Sequence, residues 1–151
     1  MARTAAFDGI IISYLGNIDG RQPEHENRLK YLQAALKAGW HVCVDVVFHQ
    51  GSFLLPFDGG FNPAPPSFFS NQRVWSQCYD ADTLDALCNV GGHAFLSNEH
   101  GLTLTSAQFI WTMPGRELSP RSIAVFPEEQ PGWLDQYEPA GLCSNQPARY
   151  I

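Results

Sequence analysis

Short apolar runs recur along the chain, separated by turn-forming residues. Ile10-Ile11-Ile12-Ser13-Tyr14 opens the series, and in the run from His41 the residues Val42, Val44 and Val46 alternate with Cys43, Asp45 and Val47. Alternation with period two marks a strand with two distinct faces. Between these runs Leu29, Leu32, Ala35 and Leu36 recur at helical spacing. Pro23 suits a first helical position, Glu24 and Glu26 suit the positive end of a helix, and Gly39 suits its stop, so the pattern predicts a helix over residues 23–38. The connection from Phe48 to Phe53 reads as a tight turn supplied by Gly51. Residues 58–69 read as loop, because Gly59, Gly60, Pro63, Pro65 and Pro66 interleave with Phe61, Phe68 and Phe69. Further strands are predicted at residues 73–77, 94–97, 109–113, 122–126 and near 141–143, with an edge ribbon at 102–105. Asp80 is placed to cap a second helix carrying Leu84, Leu87 and Cys88.

Strand, glycine-bearing loop, helix and strand in that order form the unit from which α/β sheets and barrels are built. The tally is about eight short strands against two clear helices, whereas a full eightfold α/β barrel takes about 250 residues. With 151 residues the chain is read as one domain, residues 1–151. The predicted class is α/β: a reduced or incomplete TIM-type (β/α) barrel in which loops replace several helices. If the valines of the second strand pack under the helix, Cys43 and Asp45 point into the barrel centre. A carboxylate there is costly unless paired, metal-bound or wet.

Charge narrows the partners. The formal net charge is -6, with 44% hydrophobic and 16% charged residues. Nucleic acid is not expected, since phosphate binding leans on clustered Lys and Arg. The four cysteines, Cys43, Cys78, Cys88 and Cys143, lack the close spacing of a zinc site, and three of them are read as buried thiols of a reduced compartment. Met1-Ala2-Arg3-Thr4 opens neither a signal peptide nor a membrane span. The expected location is cytoplasmic or within a larger particle or complex.

Several motifs carry a resemblance. Gly-Asn-x-Asp-Gly stands at residues 16–20, Glu26-Asn27 follows, and Asp45 lies in the second strand. Later come Asp58, Leu-Thr-Leu-Thr-Ser at 102–106, Ile-Trp-Thr-x-Pro-Gly at 110–115, Pro127-Glu128 and Gly-x-Cys-Ser at 141–144. In this combination the chain, from about Ile10 to Asn145, resembles compact single-domain members of the glycerophosphodiester phosphodiesterase and phosphatidylinositol phospholipase C-like superfamily. The resemblance implies metal-assisted diester cleavage at the C-terminal rim of a barrel. One His would act as base and another as acid, basic side chains would hold the phosphate, and a divalent ion would sit on Glu and Asp.

The chain departs from that pattern where the chemistry would be done. The family's opening His-Arg-Gly reads Tyr14-Leu15-Gly16, and its Glu-x-Asp metal pair reads Cys43-Val44-Asp45. Its His-Asp reads Phe57-Asp58, and its Trp-x-His-x-Lys strand is similar to Trp75-Ser76-Gln77-Cys78-Tyr79. Ser97 stands for a further His, and the late Cys-Ser-Asp reads Cys143-Ser144-Asn145. Phe and Leu cannot transfer protons, and a Tyr near its ordinary pKa of about 10 is a poor base at neutral pH. Losing one transition-state contact typically costs about 3 kcal/mol, so losing several ends the mechanism.

No catalytic residue is therefore expected at Tyr14, Leu15, Cys43, Phe57, Gln77, Tyr79 or Ser97. Glu26 and Asp45 carry over as a weak Mg²⁺ or Ca²⁺ pair at most; the plainer reading is a helix-start glutamate and a hydrogen-bonded relic. Otherwise no cofactor is expected. Cys43 reads as structural rather than reactive, and the loop His100 as solvated rather than as a relocated acid or base. Trp75 and Trp111 read as core. Two functions are weighed: a non-catalytic binding or structural subunit of a larger assembly, and a metal-dependent phosphodiester hydrolase using Glu26, Asp45 and His100. The missing cationic clamp favours the first. Its expected contact surface, for a protein partner or for a second copy, is the aromatic stretch with Phe57, Phe61, Phe68 and Phe69; a lid folded over the vacated pocket is the alternative.

Overall fold

The computed structural model describes residues 6–151, so the opening Met1–Thr4 segment lies outside the described residues. The apolar runs become strands: β1 (Ile10–Tyr14), β2 (His41–Asp45), β3 (Val47–His49), β4 (Ser52–Phe57), β5 (Gly60–Ala64), β6 (Val74–Cys78), β7 (His93–Leu96), β8 (Leu102–Leu104), β9 (Ile110–Thr112), β10 (Ser122–Val125) and β11 (Gly141–Ser144). The helices are α1 (Leu29–Lys37), the single turn α2 (Pro66–Phe69) and α3 (Ala81–Asn89). Eight strands join in the order β7-β6-β2-β1-β11-β10-β9-β8, parallel except for the antiparallel edge strand β8. The sheet curls into a nearly closed, barrel-like form. Across the gap the Ser106 N–H donates to the Ala94 carbonyl (2.8 Å), and the Ala94 N–H donates to the Ser106 hydroxyl (2.8 Å). Among the described residues no helix is long and apolar enough to cross a membrane.

The alternation in β2 sorts its residues onto two faces as its sequence predicts. Val42, Val44 and Val46 pack outside with Leu32, Ala35 and Leu36 of α1, while Cys43 lies inside with Ile12, Trp75, Phe95, Trp111, Ile123 and Cys143. Fully burying one leucine such as Leu32 is worth about 1.5 to 3 kcal/mol. A third cluster around Ala124, Trp133, Leu134 and Leu142 covers β10 and β11 with the irregular tail instead of a helix. Prolines 127 and 147 begin short 3₁₀ turns there, and the Trp133 indole donates to the Arg116 carbonyl (2.7 Å). Packing at the β1–β11 ladder is close enough to demand glycine: a Cβ at Gly141 would lie 2.6 Å from the Ile10 carbonyl oxygen.

Two expectations are corrected. The helix starts at Leu29, not at residue 23. Residues 24–27 form turns, and Asn27 takes a left-handed φ of 63° that interrupts any helix. Tertiary bonds set that conformation. The Asn27 amide donates to the carbonyls of Asp45 (2.9 Å) and Pro56 (2.7 Å), and its Oδ1 accepts from the Asp45 N–H (2.9 Å).

The second correction concerns residues 58–69. They contain β5, antiparallel to β4 with Phe57 opposite Gly60 and Leu54 opposite Pro63, and then α2. Pro63 is tolerated because β5 is an edge strand of the β3-β4-β5 sheet. Phe68 and Phe69 of α2 are buried in the outer core, with the Phe69 ring tilted against that of Phe53 at 4.7 Å. They are thus removed from any contact surface, and of the four aromatic residues proposed for it only Phe61, 59% accessible, stands out in solvent.

Of the four cysteines, Cys43, Cys78 and Cys143 are buried and Cys88 on α3 is exposed. The turn between β3 and β4 agrees with the sequence: Gln50 (φ 49°) and Gly51 (φ 79°) are both left-handed, as a two-residue hairpin turn requires.

Candidate functional site

Parallel strands bring their C-terminal ends to one rim, where ligand sites of α/β sheets and barrels lie. Here β1 delivers Tyr14, β2 delivers Asp45, and β6 delivers Gln77 followed by Tyr79. Gln77 donates through Nε2 to Asp45 Oδ1 (3.0 Å) and to the Tyr79 hydroxyl (2.6 Å), and that hydroxyl donates to the same Oδ1 (2.8 Å). Burial pushes the Asp45 carboxyl above its ordinary pKa, although the bonds from Tyr79 and Gln77 pull the other way. Burial likewise raises the Tyr14 and Tyr79 phenols, with Cys43 and then Asp45 adding for Tyr14 and Asp45 for Tyr79. A phenol raised in this way stays protonated at neutral pH and is a poor proton acceptor.

Glu26 belongs to a separate cluster. It is buried, and Arg21 grips it with two bonds, Nε to Oε2 and Nη2 to Oε1, each 3.0 Å. The guanidinium holds this carboxyl below its ordinary pKa against the opposing effect of burial. Wholly buried Asn17 fixes the cluster through all four of its amide bonding positions. Its Nδ2 donates to Glu26 Oε2 (2.8 Å) and Asn145 Oδ1 (2.9 Å), and its Oδ1 accepts from the Gln22 N–H (3.2 Å) and the Tyr31 hydroxyl (3.0 Å). Glu26 and Asp45 therefore satisfy themselves on different partners. Among the described residues no group of three or more His, Cys, Asp or Glu is arranged to hold a metal ion.

A cavity of about 140 Å³ opens at the rim, lined by aromatic Tyr14, Trp111 and Phe126, by Val125 and Met113, and by polar residues including Gln77, Ser97 and Asn98. Among the described residues no acid, lysine, arginine or histidine lines it. Tyr14 meets Phe126 edge-on at 4.9 Å. Leu15 and Phe126, the residues just past β1 and β10, both take left-handed backbone (φ 57° and 53°). For bulky side chains such a conformation costs on the order of 1 kcal/mol or more and persists only where the surroundings impose it.

The remaining predicted positions scatter. Leu15 is buried; its N–H donates to the Cys43 carbonyl and its own carbonyl accepts from Asn27, so it closes the loop and does not line the cavity. Cys43 is inside the barrel, and burial and then Cys143 raise its thiol well above the ordinary value. Phe57 lies under the Arg28 guanidinium (3.9 Å) and apart from the cavity lining. Ser97 does line the cavity; His100 is exposed beside it and does not.

His41 and His93 sit at the opposite ends of their strands. There the Trp75 indole donates to His41 Nδ1 (3.1 Å) and packs at a tilt against His93, with ring centroids 3.9 Å apart, and burial pushes the His93 imidazole down to about 4.

Arg21 escaped the sequence reading, and Asn145 entered it only as the residue that replaces a family Asp. Arg21 stands five residues before Glu26, a spacing with no regular-structure meaning, because the turn that joins them is irregular. Asn17 carried a signal, being part of the Gly-Asn-x-Asp-Gly motif. Searches with family models, among curated proteins and among solved structures find no match for this chain.

Proposed function

We propose that the chain is a catalytically degenerate phosphodiesterase-like domain, a reduced (β/α) barrel acting as a non-catalytic binding or structural subunit of a larger assembly. One observation carries the reading: the rim cavity is lined by aromatic, aliphatic and neutral polar groups alone. A phosphodiester needs cationic contacts that strengthen as charge develops, and a group that moves a proton. The cavity lining provides neither. The pairing of Glu26 with Arg21 supports the same reading, since a resident guanidinium already neutralises the carboxylate that a metal would use. What the cavity suits is a small uncharged ligand, or no ligand at all.

The test is an assay of purified protein with Mg²⁺ or Ca²⁺ on bis(p-nitrophenyl) phosphate and on glycerophosphodiesters. No turnover above blank is expected. Metal-dependent turnover that disappears in Asp45→Ala would overturn the proposal and restore the relocated hydrolase.

A further inference from the structure

A second and larger depression, of about 660 Å³, lies on the flank between the β3–β4 hairpin and α3. It shares no residue with the rim cavity. Its floor is apolar. Phe48 and Phe53 are cross-strand partners with rings 4.9 Å apart, and half-buried Ala86 of α3 and Val90 just past its end face them. One wall is acidic: Asp82 and Asp85, both exposed, lie one helical turn apart with Asn89 continuing the stripe. No lysine or arginine lines the groove, and neither aspartate has an ion-pair partner among the described residues.

Helix stability does not account for both acids. Asp82 in the first turn complements the helix dipole. Asp85 is mid-helix, where aspartate is a poor helix former, and its neighbours four residues away are Ala81 and Asn89. Strand addition is also blocked. The Phe48 N–H on β3 is taken by the Thr83 hydroxyl (3.0 Å), and the far edge of that sheet carries Pro63. An occupant must therefore be recognised through its side chains.

We propose that this groove docks a segment of a partner protein in which apolar side chains are flanked by lysine or arginine. The apolar residues fill the space over Phe48, Phe53, Ala86 and Val90, and the cations meet Asp82 and Asp85. Charge complementarity selects that occupant, because the groove carries two uncompensated negative charges in a chain of net charge -6.

The experiment is a titration of isotope-labelled protein with acetyl-Lys-Leu-Phe-Lys-amide, followed by backbone amide NMR shifts. Acetyl-Glu-Leu-Phe-Glu-amide and acetyl-Lys-Gly-Gly-Lys-amide serve as controls. Saturable shifts at Phe48, Gly51, Ala86 and Val90 are expected with the first peptide only, weakening as salt is raised. The double variant Asp82→Asn/Asp85→Asn should bind about tenfold more weakly, the scale of two partly screened ion pairs. Asp85→Lys should reverse the preference toward the glutamate peptide, a change that simple loss of structure cannot produce. Equal binding of the acidic and basic peptides, shifts elsewhere on the surface, or an unaffected double variant would overturn the proposal. So would groove shifts that depend on protein concentration without peptide, which would make the occupant a second copy of the chain.

Discussion

Replacing Asn17 by alanine tests how much of the rim rests on one buried amide. The side chain is fully buried and joins the loop after β1 to Glu26 and to Asn145 beyond β11. An intramolecular hydrogen bond is worth about 1 kcal/mol net, and one to a charged group about 1.5 to 3 kcal/mol. Gln22, Tyr31 and Asn145 lie near enough to solvent to recover part of their losses, whereas Glu26 is buried and loses a donor. Asn17→Ala should thus cost about 3 to 4 kcal/mol, a large fraction of the roughly 5 to 15 kcal/mol that holds a domain folded. In urea, with a slope of about 2 kcal/mol per molar, the unfolding midpoint should fall by about 1.5 to 2 M. Asn17→Asp should cost at least as much at neutral pH, because it sets a carboxylate against Glu26, and should recover as acid protonates one of them. A loss below about 1 kcal/mol for Asn17→Ala, with an unchanged slope, would refute the reasoning.

The two rim carboxyls predict opposite pH effects. Glu26 has its pKa depressed by Arg21, so it adds stability above the ordinary carboxylate range that is lost as pH falls through its folded pKa; Arg21→Gln should move acid unfolding, followed by circular dichroism, to higher pH. Asp45 has its pKa raised, so its ionisation opposes the fold as pH rises; Asp45→Asn should raise the neutral-pH melting temperature, and the gain should vanish in acid. Gly141→Ala should cost about 2 to 3 kcal/mol in chemical denaturation, since the carbonyl it would strike belongs to the sheet and cannot move aside.

Much of the sheet was legible because its strands are short apolar runs whose side chains have nowhere to go but inward or under a helix. The sorting of Val44 from Cys43 follows from period two alone. What misled were residues whose local preference yields to distant partners. Pro23 and Glu24 look like a helix start, but Asn27 is pulled left-handed by the backbones of Asp45 and Pro56, up to 29 residues away. Gly60 and Pro63 look like loop, yet an edge strand spares the missing N–H. Phe68 and Phe69 follow prolines on what reads as surface, and only the packing against Phe53 hides them. At the rim, the end of β2 could be named in advance, but not that Tyr79 would reach back across the strand ends to Asp45. The clasp of Arg21 on Glu26 depends on an irregular turn that no periodic pattern announces.

The way the barrel shuts has a consequence for the order in which it forms. From β1 to β7 each sheet neighbour is the next available segment of chain, and the same holds from β8 to β11 with β8 antiparallel, so two arcs can assemble from nearby partners. Joining them demands contacts of long sequence separation, such as Ile10 with Gly141, and loop-closure entropy opposes those first encounters. On the other side the arcs meet through the Ser106 hydroxyl and amide rather than a continuous ladder, leaving fewer bonds to reward closure. The kinetic bottleneck then falls on the β1–β11 ladder, with Asn17 and Asn145 as its clasp, while the seam at Ser106 zips afterwards and is the first place from which the structure unzips.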